Sequence, residues 1–169
     1  MRFALVFLLP FLQCNKANSY IPKEPHSVAE TRSQLMKGVY TVEQVGLGSS
    51  SVMNEPVQWM NEESDTAKAE QDFIADRKSL TLHFTSETEV KLMDNQRNLQ
   101  AIYQLEKDSS KTVLMKLTFE DKTFSFPGSN EPMKLTYTYR IRGIDENRLL
   151  LETPRQYNYR PVVLLMKKK

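Results

Sequence analysis

One cysteine, Cys14, occurs in the 169 residues. Beyond it the chain offers no disulfide framework, no cysteine zinc cluster and no cysteine nucleophile. Histidine is nearly as scarce: His26 and His83 exclude a histidine-rich metal site and a His-x-x-Glu-His arrangement. Neither sign of charge dominates, since 23 Lys and Arg stand against 21 Asp and Glu, interspersed to a net +2. A nucleic-acid partner is therefore not expected. The one basic cluster, Lys167-Lys168-Lys169, reads as a solubilising strand end. The chain has no Gly-x-Ser-x-Gly elbow. Gly46-Leu-Gly-Ser-Ser-Ser51 shares only composition with phosphate-cradling loops, lacks a following Lys-Ser/Thr, and reads as a flexible loop. The carboxylate pairs Glu62/Glu63, Glu120/Asp121 and Asp145/Glu146 fall in turns or polar segments, where they are solvated. The expectation is a protein that is not an enzyme and uses neither cofactor nor metal.

Long hydrophobic runs are also missing. The longest, Phe3–Leu12 after Met1-Arg2, has the length of a signal-peptide h-region and falls short of the roughly 20 residues a membrane-spanning helix needs. Phe11-Leu12-Gln13-Cys14 resembles a bacterial lipobox, with Phe and Gln where Leu and a small residue are usual. The resemblance implies cleavage before Cys14 and a diacylglycerol on its sulfur, hence a lipid anchor in the bacterial envelope, at the outer membrane. The competing reading is a secretory leader cut near Ala17 or Ser19. Residues 15–35 are polar, carry Pro22 and Pro25, and read as a flexible tether.

From residue 36 to 169 the pattern changes to period two. In Met133–Arg142 the residues Met133, Leu135, Tyr137, Tyr139 and Ile141 alternate with Lys134, Thr136, Thr138, Arg140 and Arg142, the mark of a half-buried strand. Val113/Met115/Leu117/Phe119 and Leu80/Leu82/Phe84 alternate likewise. Val90/Leu92, Ile102/Tyr103/Leu105 and Phe124/Phe126 give shorter segments. Polar turns at 94–98, 108–111, 120–122, 127–130, 145–147 and 154–161 separate them. Counting Lys37–Val45 first and Val162–Met166 last gives eight or nine consecutive antiparallel strands. The expected fold is mainly β, an up-and-down barrel whose closure removes exposed edges, with a sandwich as the competing architecture. Residues 46–79, with the sole tryptophan, Trp59, and an acidic, helix-prone piece, form a long insertion after the first strand. It reads either as a lid over the barrel mouth or as a surface excursion, and it is the candidate contact for a protein partner.

An eight-stranded barrel is wide enough to be filled by side chains or to hold one small ligand. Tyr40, Phe84, Leu117, Phe119, Tyr137 and Tyr139 are expected to face inward, and with Trp59 they are the candidate ligand-binding residues. The Tyr137/Tyr139 face is expected to belong to the energetic core. Such a lining suits an apolar molecule with one or two polar groups, and equally a closed core.

Gly38-Val39-Tyr40 at the first strand resembles the Gly-x-Trp opening of lipocalins, with Tyr in place of Trp. Tyr139–Glu152 followed by Val162–Lys167 is similar to the closing hairpins of bacterial lipocalin-like lipoproteins. The resemblance covers residues 36–167 and implies an envelope lipoprotein, with no catalytic residue carried over. Two functions follow as expectations: a lipid-anchored binder of a small apolar ligand, or a non-enzymatic structural or host-interaction lipoprotein with a filled barrel.

Overall fold

The period-two alternation closes into a barrel. The structure, a computed structural model, describes residues 21–36, 38–48, 56–60, 68–121, 133–154 and 160–169. Along the chain run α1 (Val28–Leu35), β1 (Val39–Leu47), β2 (Gln58–Trp59), α2 (Lys68–Lys78), β3 (Thr81–Phe84), β4 (Glu89–Met93) and β5 (Asn98–Lys107). They are followed by β6 (Val113–Asp121), β7 (Met133–Ile144), β8 (Arg148–Glu152) and β9 (Val162–Lys168). From β3 to β9 each strand pairs antiparallel with the next, and β1 pairs with both β3 and β9. Tyr40 lies opposite Leu82 on one side and Lys168 on the other, so eight strands close on themselves. The two-residue β2 adds to the far end of β1, with Trp59 opposite Gly46.

Inward positions follow the expected phase. Tyr40, Leu82, Phe84, Met115, Leu117 and Ile141 are all at most 1% exposed. Three hairpin turns share one device: the first-position carboxylates of Asp94, Asp108 and Asp145 each accept backbone N–H groups two to four residues on, at 2.8–2.9 Å. Aspartate does this because its short side chain reaches back to the turn's own free donors.

Three expectations are corrected. The segment read as a tether is ordered from Ile21 on, because Pro22 and Pro25 are buried and α1 is built by a capping box. The Ser27 hydroxyl accepts the Glu30 N–H at 3.0 Å, while the Glu30 carboxylate accepts the His26 N–H at 3.2 Å. Leu35 and Thr31, both fully buried, dock the helix against one end of the barrel. There Arg32 donates to the Glu87 carbonyl and the Tyr40 hydroxyl donates to the Gln34 carbonyl. The turn expected at 120–122 is strand through Asp121, because Glu120 and Asp121 still pair with Lys134 and Met133; the Phe124/Phe126 segment lies outside the described residues. In β8 and β9 the alternation fails altogether. Leu149, Leu150 and Leu151 are buried in succession, as are Val163 to Met166, because Val57 and Trp59 cover the outer faces of Leu150, Val163 and Leu165.

Candidate functional site

The barrel's two ends differ. At the α1 end, Phe84 packs edge-on against Tyr40 and Tyr103, with ring centroids 5.9 and 5.0 Å apart. The Tyr103 hydroxyl donates to the Ser86 carbonyl at 3.2 Å. Burial, with Asp145 nearby, pushes the Tyr40 phenol up to about 12, so it stays a neutral donor. This end is filled.

The other end holds a half-open cavity of about 560 Å³, within the range of small-molecule sites. Leu92 and Leu99 from β4 and β5, Phe119 from β6, and Tyr137 and Tyr139 from β7 form its wall. Phe119 and Tyr137 meet edge to face at 5.3 Å. Although its phase is inward, Tyr137 is 40% exposed, because it faces this opening rather than packed side chains. Its expected place in the core is thereby corrected. A second, more open depression of about 700 Å³ adjoins the first across Arg97, Leu99 and Phe119. It runs over outward-facing residues of β5 and β6, Asn98, Gln100, Ile102, Thr118 and Glu120, whereas the first cavity reaches the inward face of the barrel and is the better site.

The mouth is basic and ordered by turns. Arg97, in the β4–β5 turn, lies near the Tyr137 side chain and binds Asp94, whose carboxylate is its strongest influence. Burial of Asp94 raises its pKa, but the N–H groups of Gln96 and Arg97 and the guanidinium outweigh this and hold it below the usual carboxylate range. Arg77, in the last turn of α2, lies over the Phe73 ring at 5.2 Å and meets the neighbouring Asp76 only at 3.9 Å. Arg160 donates to the Gly48 carbonyl at 2.9 Å and to Gln58 Oε1 at 2.8 Å, tying the β8–β9 connection to β1 and β2. Tyr139 titrates above the usual phenol range because it is buried, an effect opposed by the nearby Arg77 and Arg97 charges. Both guanidinium groups thus act on one point of the cavity wall.

Of the residues predicted to bind a ligand, Phe119, Tyr137 and Tyr139 come together here. Tyr40, Phe84 and Leu117 do not, since they are fully buried in the filled part. Trp59 does not either. It packs on the barrel's outer surface against Leu150, Val163 and Leu165, where a side chain at Gly46 would collide with it. Cys14 lies outside the described residues, as does much of the 46–79 insertion. What is described of that insertion places Asp76 and Arg77 at the mouth and buries Ile74 in the core. Sequence reasoning missed the arginines. Arg97 sat in a segment read only as a turn, and Arg77 at the end of a helix-prone piece.

Among the described residues no group of His, Cys, Asp and Glu is arranged to hold a metal ion, and no helix is long and apolar enough to cross a membrane. Comparison with protein-family models, curated proteins and solved structures finds no match.

Proposed function

We propose that this is a lipid-anchored bacterial envelope protein that binds a small apolar ligand in the open end of its barrel. The observation that carries the binding reading is the cavity itself. Beside the buried Phe119, Tyr139 is half-buried and Tyr137 is 40% exposed, so the inward face opens into a cavity at one end of a barrel whose other end is packed tight. Exposed aromatic surface inside a concavity, with a few convergent polar groups, is what a ligand would cover. The leader and the position of Cys14 support the anchor, and the two or more acyl chains of a bacterial lipoprotein suffice for stable attachment.

The binding test is organic extraction of the purified protein for a co-purifying molecule, followed by calorimetric titration with apolar ligands. Stoichiometric binding that Phe119→Glu abolishes while the protein stays folded supports the reading; a folded protein that takes up nothing refutes it. For the anchor, intact-mass analysis from the native membrane should find acyl mass on Cys14, and Cys14→Ala should lose membrane partitioning.

A further inference from the structure

The cavity wall is apolar, but its rim is not neutral. Among the described residues three arginines from three separate parts of the chain, Arg77, Arg97 and Arg160, line it together with two aspartates, Asp76 and Asp94. Three cations against two carboxylates leave an excess of positive charge at an opening with low-dielectric walls, which focuses the field on whatever enters. The three arginines are not equivalent. Arg97 is committed to Asp94, with two nitrogens at 2.8 and 2.9 Å. Arg160 is committed to a carbonyl and an amide oxygen, at 2.9 and 2.8 Å. Among the described residues Arg77 meets only its own neighbour, Asp76, at 3.9 Å, and otherwise rests on the Phe73 ring. A guanidinium fork positioned by an aromatic face retains its donors for an oxyanion.

Resting on the reading of the cavity as a ligand site, we propose that its ligand is a single-chain amphiphile with an anionic head group. The chain lies against Leu92, Leu99 and Phe119, and a carboxylate or phosphate is held at the rim by Arg77, with Arg97 adding field. An uncharged chain of the same length would leave the Arg77 donors to water and gain only apolar burial. A cationic head would meet the excess positive charge at the rim and be rejected.

Calorimetric titration of the purified full chain with laurate, dodecyl phosphate, dodecanol and dodecyltrimethylammonium tests this, since all four share one chain. The anions should bind at least tenfold tighter than the alcohol, the scale of one charge-assisted hydrogen bond, and the ammonium should bind weakest. Which of the two anions binds tighter distinguishes a carboxylate from a phosphate ligand. Arg77→Gln should weaken the anions about tenfold, leave dodecanol unchanged, and leave the thermal midpoint close to that of the parent because Arg77 is exposed. Arg77→Lys should restore part of the loss. Equal affinity for alcohol and acid, or an equal effect of Arg77→Gln on both, overturns the anion inference while leaving the cavity reading intact. Binding of none of the four overturns both.

Discussion

Arg97 grips Asp94 with two nitrogens, Nε at 2.9 Å and Nη2 at 2.8 Å from the same Oδ2, while the other carboxylate oxygen accepts two backbone N–H groups. One carboxylate therefore shapes the β4–β5 turn and aims the guanidinium at Tyr137. Asp94→Asn should cost about 1–2 kcal/mol at neutral pH by weakening this cluster. The sign of its pH dependence follows from the lowered pKa of Asp94. A carboxyl depressed in the folded state contributes stability above its unfolded value and loses it as pH falls through the folded one. The gap between wild type and Asp94→Asn, read by urea denaturation, should shrink on acidification. A gap independent of pH would show that the ionised carboxylate is not what holds the turn.

A glycine fixes where the N-terminal segment docks. A Cβ on Gly143 would stand 2.2 Å from the Pro22 carbonyl oxygen and 2.8 Å from its carbon, both backbone atoms. Next to it the Ile144 N–H donates to the Lys23 carbonyl at 2.9 Å. Gly143→Ala should therefore lift Pro22 and Lys23 off β7, cost about 1–3 kcal/mol, and raise amide exchange in residues 22–36 well before the barrel opens. Unchanged protection in that segment would mean that the contact does not hold it.

The core is graded along the barrel. Leu117→Ala and Ile141→Ala remove fully buried side chains and should each cost about 2–5 kcal/mol. Tyr137→Ala, on the same inward phase but 40% exposed to the cavity, should cost clearly less. Thr136→Ala should be nearly silent apart from its hydroxyl contact to Thr118 at 3.2 Å. Thermal denaturation of the four variants measures the order. A Tyr137 cost equal to that of Leu117 would show that the cavity closes in solution.

Most of the barrel was legible in the sequence because period two is a local signal. Met133 to Ile141 announces its face without knowledge of any partner strand. The cavity was not legible, because whether Tyr137 meets packed side chains or open space depends on what crosses the barrel at that level. The N-terminal helix was legible but overlooked. Ser27-Val-Ala-Glu30 is a capping box, masked by the prolines before it. Trp59 was misplaced for a different reason. The uninterrupted apolar runs Leu149–Leu151 and Val162–Met166 already imply strands covered on both faces, so something from elsewhere in the chain had to lie outside them.

Tyr40 sets an alkaline limit. Its phenol rises from 10.0 to about 12 through burial, while its hydroxyl donates to the Gln34 carbonyl at 2.9 Å. A group whose pKa is raised by folding stabilises fully below its unfolded value, and that contribution is lost as pH rises through the folded one. Stability should therefore fall by about 2 kcal/mol across this interval. Tyr40→Phe should remove this component of the fall while costing about 1 kcal/mol at neutral pH for the lost hydrogen bond. The difference in phenolate absorbance between wild type and Tyr40→Phe, followed against pH, should show Tyr40 ionising only as the barrel unfolds. Complete ionisation in a folded protein at the lower end of the interval would contradict it.

If Cys14 carries an anchor, the link from it reaches the mouth side of the barrel only when almost fully extended. Eight residue steps from Cys14 to Pro22 span at most about 28 Å fully extended. Pro22 is pinned beside Gly143, near the filled end. The ten steps of β7 from Gly143 back to Met133, at the open end, run about 33 Å. With strands tilted about 40° to the barrel axis this is about 25 Å along the axis, so a protein held through Cys14 would bring its mouth to the membrane only with the link almost fully stretched, and the opening should face away from the surface or sideways. Spin labels placed at residue 96 in the β4–β5 turn and at residue 146 in the β7–β8 turn, on protein acylated at Cys14 and bound to vesicles, measure this. Water-soluble relaxation agents should reach residue 96 freely and residue 146 less, while lipid-bound nickel should relax residue 146 more strongly. The reverse pattern would place the mouth against the bilayer, with the link from Cys14 fully stretched or the contact between Pro22 and Gly143 released.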